Sequence, residues 1–194
     1  MKLLSSLFLL SLSLSLIAQN KVSHVKMVPT VNADIEKVAR DYYDHFANIK
    51  GEKISETENI IEYSSKINPQ GALESTIMQI KSLDNSYSWQ ALMLDTEDYK
   101  DAVAKYKELY KQLNGSKISL GNGKAYRLKG DYDSPDGSRA FASSIIGLDA
   151  GENEMHQFKI EIALNYAMPE WSVKIYVYEK EDDQDIRPTV NNDY

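Results

Sequence analysis

The chain has 194 residues, no cysteine and a formal net charge of −7, from 22 basic and 29 acidic side chains. The lack of cysteine excludes thiol catalysis, thiol redox chemistry, cysteine-ligated zinc and iron–sulfur clusters. The acidic excess argues against nucleic acid and anionic membrane surfaces as partners, because both are bound through clustered Lys and Arg.

The first eighteen residues have the pattern of a secretory signal peptide. Lys2 supplies a positive start, and Leu3–Ile17 is an unbroken run of Leu, Ser, Phe and Ile that ends at Ala18. The run is shorter than the ~20 apolar residues that span a bilayer. We predict residues 1–18 as a signal peptide on a secreted or periplasmic protein with no stable membrane insertion after cleavage. A retained anchor helix is the alternative; bacterial lipidation is excluded because no cysteine follows the run.

Two segments repeat apolar residues at helical spacing. The members of the first are Ile35, Val38, Ala39, Tyr42, Phe46 and Ile49, and those of the second are Tyr99, Ala102, Val103, Tyr106, Tyr110 and Leu113. Each set forms one apolar stripe, which predicts an amphipathic helix lying on a core. Asn32 and Thr96 are predicted as N-caps, and Gly51 and Gly115 as C-terminal stops.

After each helical segment the apolar period changes from 3.6 to 2, which predicts strands. The predicted strands are 59–67, 72–83 and 86–94 in the first half, and 124–132, 139–148, 155–167 and 171–180 in the second. Turn signals between them predict hairpins and therefore antiparallel pairing. The order predicts an α+β fold in two layers, with an antiparallel β-sheet and two helices packed on one face.

The two halves of the chain share local sequence. Gly51–Ser55 matches Gly115–Ser119 at four of five positions, and the turn signal Asn68–Gly71 has a counterpart in Ser134–Gly137. These matches predict an internal duplication; chance similarity of two amphipathic helices and two turns is the alternative. The predicted units are a single domain at 19–180, its pseudo-repeats at 31–95 and 96–180, and an acidic disordered tail at 181–194.

The order of two tandem helix-plus-sheet units resembles that of β-lactamase inhibitor proteins and other small secreted interaction modules. The resemblance is one of element order. No motif in the chain transfers a residue role from those proteins, and a shared fold does not imply a shared function.

The three histidines have no setting that predicts catalysis. His45 follows Asp41 by four residues, so the two side chains can meet on a helix, where Asp41 could orient the imidazole as a general base. Because His45 falls beside the apolar stripe, the pair is interpreted as a surface ion pair. His24 lies in an extended lead-in. His156 is in register with Phe158 and is interpreted as a structural histidine. Serine-nucleophile and zinc-protease motifs are missing, so no catalytic residue is predicted.

Two loops have features of ligand sites. Gly121–Gly123 is predicted as a tight hairpin turn rather than a phosphate loop. Asp131, Asp133 and Asp136 form a weak calcium candidate, but their spacing departs from that of an EF-hand, and position 12 of such a loop would be Ala142. An acidic turn is the preferred interpretation, and no metal or cofactor is predicted.

Tyr176 and Tyr178 are the candidate binding residues. They alternate with Val173, Ile175 and Val177 in the last predicted strand. If the aliphatic row faces the helices, the tyrosines lie on the open sheet face as a platform for a glycan ring, an apolar ligand or a partner protein. Ordinary strand propensity of tyrosine is the alternative.

The sequence therefore predicts an exported, non-catalytic binding or interaction protein of the cell envelope or the extracellular space. Its ligand, partner and oligomeric state stay open. The alternatives are a hydrolase-type enzyme with an unrecognised carboxylate or histidine site, and a structural accessory protein of the envelope.

Overall fold

The computed structural model describes residues 30–81, 86–120, 124–149 and 157–179. In these residues the chain forms a single antiparallel sheet of nine strands with two α-helices, so the fold is α+β as predicted. The predicted signal peptide, the acidic tail, His24, His156 and the turn at Gly121–Gly123 lie outside the described residues.

Each half of the chain places its helix before its strands. The elements of the first half are α1 (Asn32–Arg40), β1 (Lys50–Glu56), β2 (Ile60–Ser65), β3 (Glu74–Ile80) and β4 (Tyr87–Thr96). Those of the second half are α2 (Tyr99–Leu113), β5 (Lys117–Ser119), β6 (Ala125–Gly130), β7 (Phe141–Leu148), β8 (Phe158–Ala167) and β9 (Glu170–Glu179). The strands lie in the order β1-β2-β3-β4-β9-β8-β7-β6-β5. The last strands of the two halves thus pair at the centre, and β1 and β5 form the edges.

Buried side chains of the central strands belong to one hydrophobic cluster with residues of both helices. Along β9, buried side chains alternate with partly exposed ones, as expected for a sheet whose two faces differ. Ile175 pairs with Ile162 of β8, and both belong to the same buried cluster as Leu109 of α2. The Tyr106 hydroxyl of α2 hydrogen-bonds the Ser144 Oγ of β7 at 2.6 Å. The core face of the sheet is therefore the face that α2 contacts.

The first helix is shorter than the apolar spacing predicts. α1 ends at Arg40, and a 3-10 turn at Tyr42–Asp44 follows it. His45 and Phe46 then adopt positive φ angles of 52° and 59°, which reverse the chain before β1. Phe46 is buried although it lies outside a helix. The apolar spacing therefore continues beyond the residue at which the helix ends. Gly51, predicted as the stop, lies inside β1.

The carboxylate of Asp41 holds this chain reversal. Its Oδ2 accepts the backbone N–H groups of Asn48 at 3.0 Å and Ile49 at 3.1 Å, and its Oδ1 accepts the side-chain amide of Asn48. The backbone carbonyl of Asp41 also accepts the N–H of Phe46 at 2.9 Å. Asp41 is buried, so these bonds satisfy a charge that would be costly to leave unpaired.

The second helix ends where the sequence predicts. Gly115 follows it with a φ of 83°, a conformation that glycine adopts without a Cβ penalty. Its N-cap is Asp98 rather than Thr96, because the Asp98 carboxylate accepts the Lys100 N–H at 2.7 Å. At the first helix the N-cap is Val31, and Asn32 instead donates its side-chain amide to the Gln112 carbonyl of α2.

The two edge strands differ from the full strands that the apolar pattern predicts. β1 is mostly exposed and β5 has three residues, so neither shows a sustained apolar alternation. β4 also changes register against β9: Leu92 pairs with Lys174, whereas Leu94 pairs with Val173. Leu94 consequently packs against the core, although strict alternation would place it on the face of Leu92.

Candidate functional site

The two candidate tyrosines lie at the centre of the sheet, on the face away from the core. In β9 they alternate with Val177 and the other buried residues of the core cluster, and both are partly buried. Tyr176 pairs with Gln90 of β4 on one side and Glu161 of β8 on the other. Cross-strand neighbours therefore flank Tyr176 on both sides, and the tyrosines lie beside the junction of β4 and β9.

A concavity of about 430 Å³ occupies this face of the sheet. It is lined by residues of β3, β4, β7, β8 and β9. Its large apolar, aromatic and charged members are Ile80, Tyr87, Phe141, Glu161, Lys174, Tyr176, Tyr178 and Glu179. The volume falls within the ~300–1,000 Å³ that is typical of small-ligand sites.

Glu161 is held by two hydroxyl groups inside the concavity. The Tyr178 hydroxyl donates to its Oε2 at 2.9 Å, and the Ser143 hydroxyl donates to its Oε1. Burial, followed by the hydrogen bond and the charge of Glu161, raises the pKa of the Tyr178 hydroxyl above its usual value. Burial and the nearby Glu161 charge also raise the pKa of Tyr176. Both phenols stay protonated at neutral pH and can act as hydrogen-bond donors.

Exposed apolar side chains lie on both sides of the tyrosines. Phe141 of β7 lines the concavity with 52% of its surface exposed. Ile145, two residues further along β7, is also exposed and pairs with Glu161. On the opposite side, Ile80 of β3 is exposed and pairs with the exposed Ile60 of β2. The face thus carries apolar surface that a ligand could bury.

Lys174 is the notable charge of the concavity. It lines the cavity, is partly buried, and within the described residues makes no hydrogen bond, ion pair or ring contact. Other partly buried lysines differ: Lys105 pairs with Glu108, and Lys50 lies over the rings of Tyr63 and Tyr87.

Sequence reasoning missed Phe141, Glu161 and Lys174 as site residues. A signal was present, because each lies at a position that alternates with a buried residue of its strand. What the sequence lacked was the register that brings β7, β8 and β9 side by side.

The three acidic residues of the calcium candidate have different surroundings in the structure. Asp133 accepts two hydrogen bonds from the Arg139 guanidinium, at 2.9 and 3.3 Å, and this contact holds the pKa of its carboxyl below the usual range. Asp136 accepts the backbone N–H of Ser138 at 3.0 Å, which lowers its pKa too. Asp131 is exposed. No group of three or more metal-ligating side chains occurs in the part of the chain that the structure describes.

His45 does not pair with Asp41 as the helical spacing allowed. Because α1 ends early, His45 lies in the reversal with a positive φ, and its ring is 5.2 Å from that of Tyr87. The Asp41 carboxylate is bound by Asn48 and Ile49 instead. The contact between Asp41 and His45 that the helical spacing predicts is therefore wrong.

The chain matches no model of a known protein family, no curated protein and no solved structure. Within the described residues, no helix combines the length and apolar character needed to cross a membrane.

Removing the side chains of Tyr176 and Tyr178 is expected to destabilise the protein less than removing a fully buried aromatic side chain. We expect Tyr176→Ala combined with Tyr178→Ala to lower the free energy of unfolding by about 1–3 kcal/mol, because both rings are only partly buried and one hydrogen bond is lost. Chemical denaturation measures the change. Tyr106→Ala is the comparison, since Tyr106 is fully buried and should cost more by itself. A larger loss for the double variant than for Tyr106→Ala would place the pair in the core.

Proposed function

We propose that this protein is an exported, non-catalytic binding protein and that the concave sheet face is its binding surface. The observation that carries the proposal is the cavity of about 430 Å³ lined by Phe141, Tyr176 and Tyr178. Binding sites for small molecules are typically concave, mostly apolar and supplied with a few convergent polar groups. Lys174 and the Glu161–Tyr178 pair are such groups.

The proposal depends on a two-layer arrangement in which both helices cover the other face. Two contacts support it. α2 packs against β4, β8 and β9 through residues of the core cluster. In the turn after α1, the ring of Tyr42 lies 5.1 Å from that of Phe158, a buried β8 residue on the core face. With both helices on that side, the face of Tyr176 is left for a ligand.

We further propose that the fold arose by tandem duplication of residues 31–95 and 96–180. The strand order around the β4–β9 pair supports this, because in each half the strands follow the helix in chain order from an edge of the sheet to its centre, with four strands in the first half and five in the second. The similar segments Gly51–Ser55 and Gly115–Ser119 also fall in or lead into the two edge strands. In a duplicated fold the cavity would lie at the junction of the repeats.

Binding is favoured over hydrolysis by the contacts of the charged groups. Both oxygens of Glu161 accept hydroxyl hydrogen bonds, and the described residues that line the cavity include no histidine that could act with it as a base. Export rests on the predicted signal peptide at residues 1–18, so secretion or a periplasmic location stays a proposal. The candidate ligands are a small apolar molecule, a glycan or a partner protein.

A ligand panel with matched variants tests the proposal. Apolar small molecules and oligosaccharides are screened by thermal shift against the wild type, Phe141→Ala, Tyr176→Ala and the control Met168→Ala. Met168 lies in the β8–β9 connection and is 85% exposed, so its loss should not affect the cavity. A ligand that raises the melting temperature by several degrees should bind about tenfold more weakly to both cavity variants and unchanged to the control.

The outcomes separate cleanly. Weakening confined to the cavity variants supports the concave face as the binding surface. Equal binding to all four proteins places the ligand elsewhere and removes the proposal. If no apolar molecule and no glycan binds, the proposal that the concave face binds a small ligand is contradicted. The structural accessory protein then remains as the alternative.

A further inference from the structure

We infer that the concave face selects amphiphilic small molecules carrying one anionic group, such as medium-chain carboxylates, and that Lys174 binds that group. The inference rests on the proposed function and names the chemical class of its ligand. The basis of the inference is that the cavity contains both a lysine that is unpaired within the described residues and apolar surface.

The first observation is a cation without a partner. The Lys174 residue is partly buried, yet within the described part of the chain it makes no ion pair, no hydrogen bond and no cation–π contact. An ammonium group beside apolar surface is stabilised by an opposite charge. A carboxylate brought by a ligand would supply that charge.

The second observation concerns the acids around Lys174. Glu74 lines a small neighbouring pocket with Lys174, and Glu179 lines the main cavity, but neither forms an ion pair with Lys174. The third acid, Glu161, is engaged elsewhere. Glu161 is two residues along β8 from Ala163, the cross-strand partner of Lys174. Both of its oxygens are bound by the hydroxyls of Ser143 and Tyr178. These bonds hold the carboxylate towards Ser143 and Tyr178 and leave the ammonium group available to an incoming anion.

The third observation is the apolar surface around Lys174. Its cross-strand neighbours are Leu92 on β4 and Ala163 on β8. Phe141 and Tyr176 line the same cavity. A ligand whose anionic group pairs with Lys174 would bury its apolar body against these side chains, at about 25 cal/mol for each Å² of apolar surface removed from water.

Charge and size both favour this occupant over the alternatives. The chain carries a net charge of −7, so an anion is repelled by most of the surface and needs a local cation to bind. The cavity of about 430 Å³ suits a small amphiphile. A stable protein partner would bury about 800 Å² on each side.

Calorimetry with two probes of equal chain length tests the inference. Decanoate and 1-decanol are titrated below their aggregation limits into the wild type, Lys174→Gln, Lys174→Arg and the control Lys107→Gln. Lys107 is an exposed residue of α2, on the helical side of the sheet. We expect the wild type to bind decanoate about tenfold more tightly than decanol, and the preference to fall as salt rises.

The variants locate the charge contact. Lys174→Gln should weaken the affinity for decanoate about tenfold and change the affinity for decanol by less than about twofold. Lys174→Arg and Lys107→Gln should keep the preference for decanoate over decanol. Equal affinity for both probes in the wild type, or a preference that survives Lys174→Gln, overturns the inference but leaves the proposed apolar site intact. If neither probe binds and a ligand of another class is found on the concave face, the inference about anionic ligands is overturned and the proposed function is kept. The proposed function falls only if the ligand panel fails as well.

Discussion

Trp89→Ala is expected to lower the free energy of unfolding by about 3–5 kcal/mol. Trp89 lies on β4 with its side chain fully buried, between Ile77 of β3 and Val177 of β9. Its indole N–H donates to the Ser65 Oγ of β2 at 2.9 Å. Truncation would leave a large cavity beside the strand pair that joins the two halves of the chain, and would remove a hydrogen bond between non-adjacent strands.

Urea denaturation followed by circular dichroism measures this loss without relying on tryptophan fluorescence. Two milder variants separate the contributions of volume and hydrogen bonding. Trp89→Phe keeps most of the ring volume. Ser65→Ala removes the acceptor of the indole together with the two hydrogen bonds between the Ser65 hydroxyl and the Ile67 backbone. Each variant should cost about 1–2 kcal/mol. A loss below about 1 kcal/mol for Trp89→Ala would show that β4 is not central to the core.

Asp41→Ala is expected to lower the free energy of unfolding by about 2–4 kcal/mol. The carboxylate accepts hydrogen bonds from the backbone of Asn48 and Ile49 and from the Asn48 side chain. Without it, two backbone donors in a partly buried reversal lose their acceptor. The reversal also contains the consecutive positive φ angles of His45 and Phe46, which the carboxylate contacts help to hold.

Asp44→Ala is the matched control for this turn. Asp44 is exposed, and its carboxylate accepts one bond at 3.3 Å from the same Asn48 side chain. Its removal should cost less than about 0.5 kcal/mol in the same denaturation experiment. Asp41→Asn keeps one acceptor oxygen, so its loss of unfolding free energy should lie between those of Asp41→Ala and Asp44→Ala. Similar losses for Asp41→Ala and Asp44→Ala would contradict the structural role assigned to Asp41.

Elements with strong periodicity were predictable from the sequence. α2 and the central strands β8 and β9 follow the apolar spacing closely, because one face of each is buried in the core. The end of α1 was not predictable in this way. Phe46 is buried without being helical, and the reversal depends on a side-chain-to-backbone contact of Asp41 that spacing does not encode.

The site was predictable only in part. Alternation along β9 places Tyr176 and Tyr178 on one face, because neighbouring strand residues point to opposite sides of a sheet. The rest of the cavity comes from strands that are distant in sequence. Phe141 joins it because β7 lies beside β8, and the β3–β4 side joins it because β4 pairs with β9. A sequence read alone does not fix that strand order.

The most direct test is to map a bound ligand by NMR chemical shifts on the full chain without its predicted signal peptide. We expect the changes to concentrate at residues of the concave face, with Leu92, Phe141, Lys174 and Tyr176 among the largest, and exposed residues of α1 and α2 to stay unchanged. Changes concentrated on the helices or along the β1 and β5 edges, with the concave face silent, would contradict the assignment of that face as the binding surface.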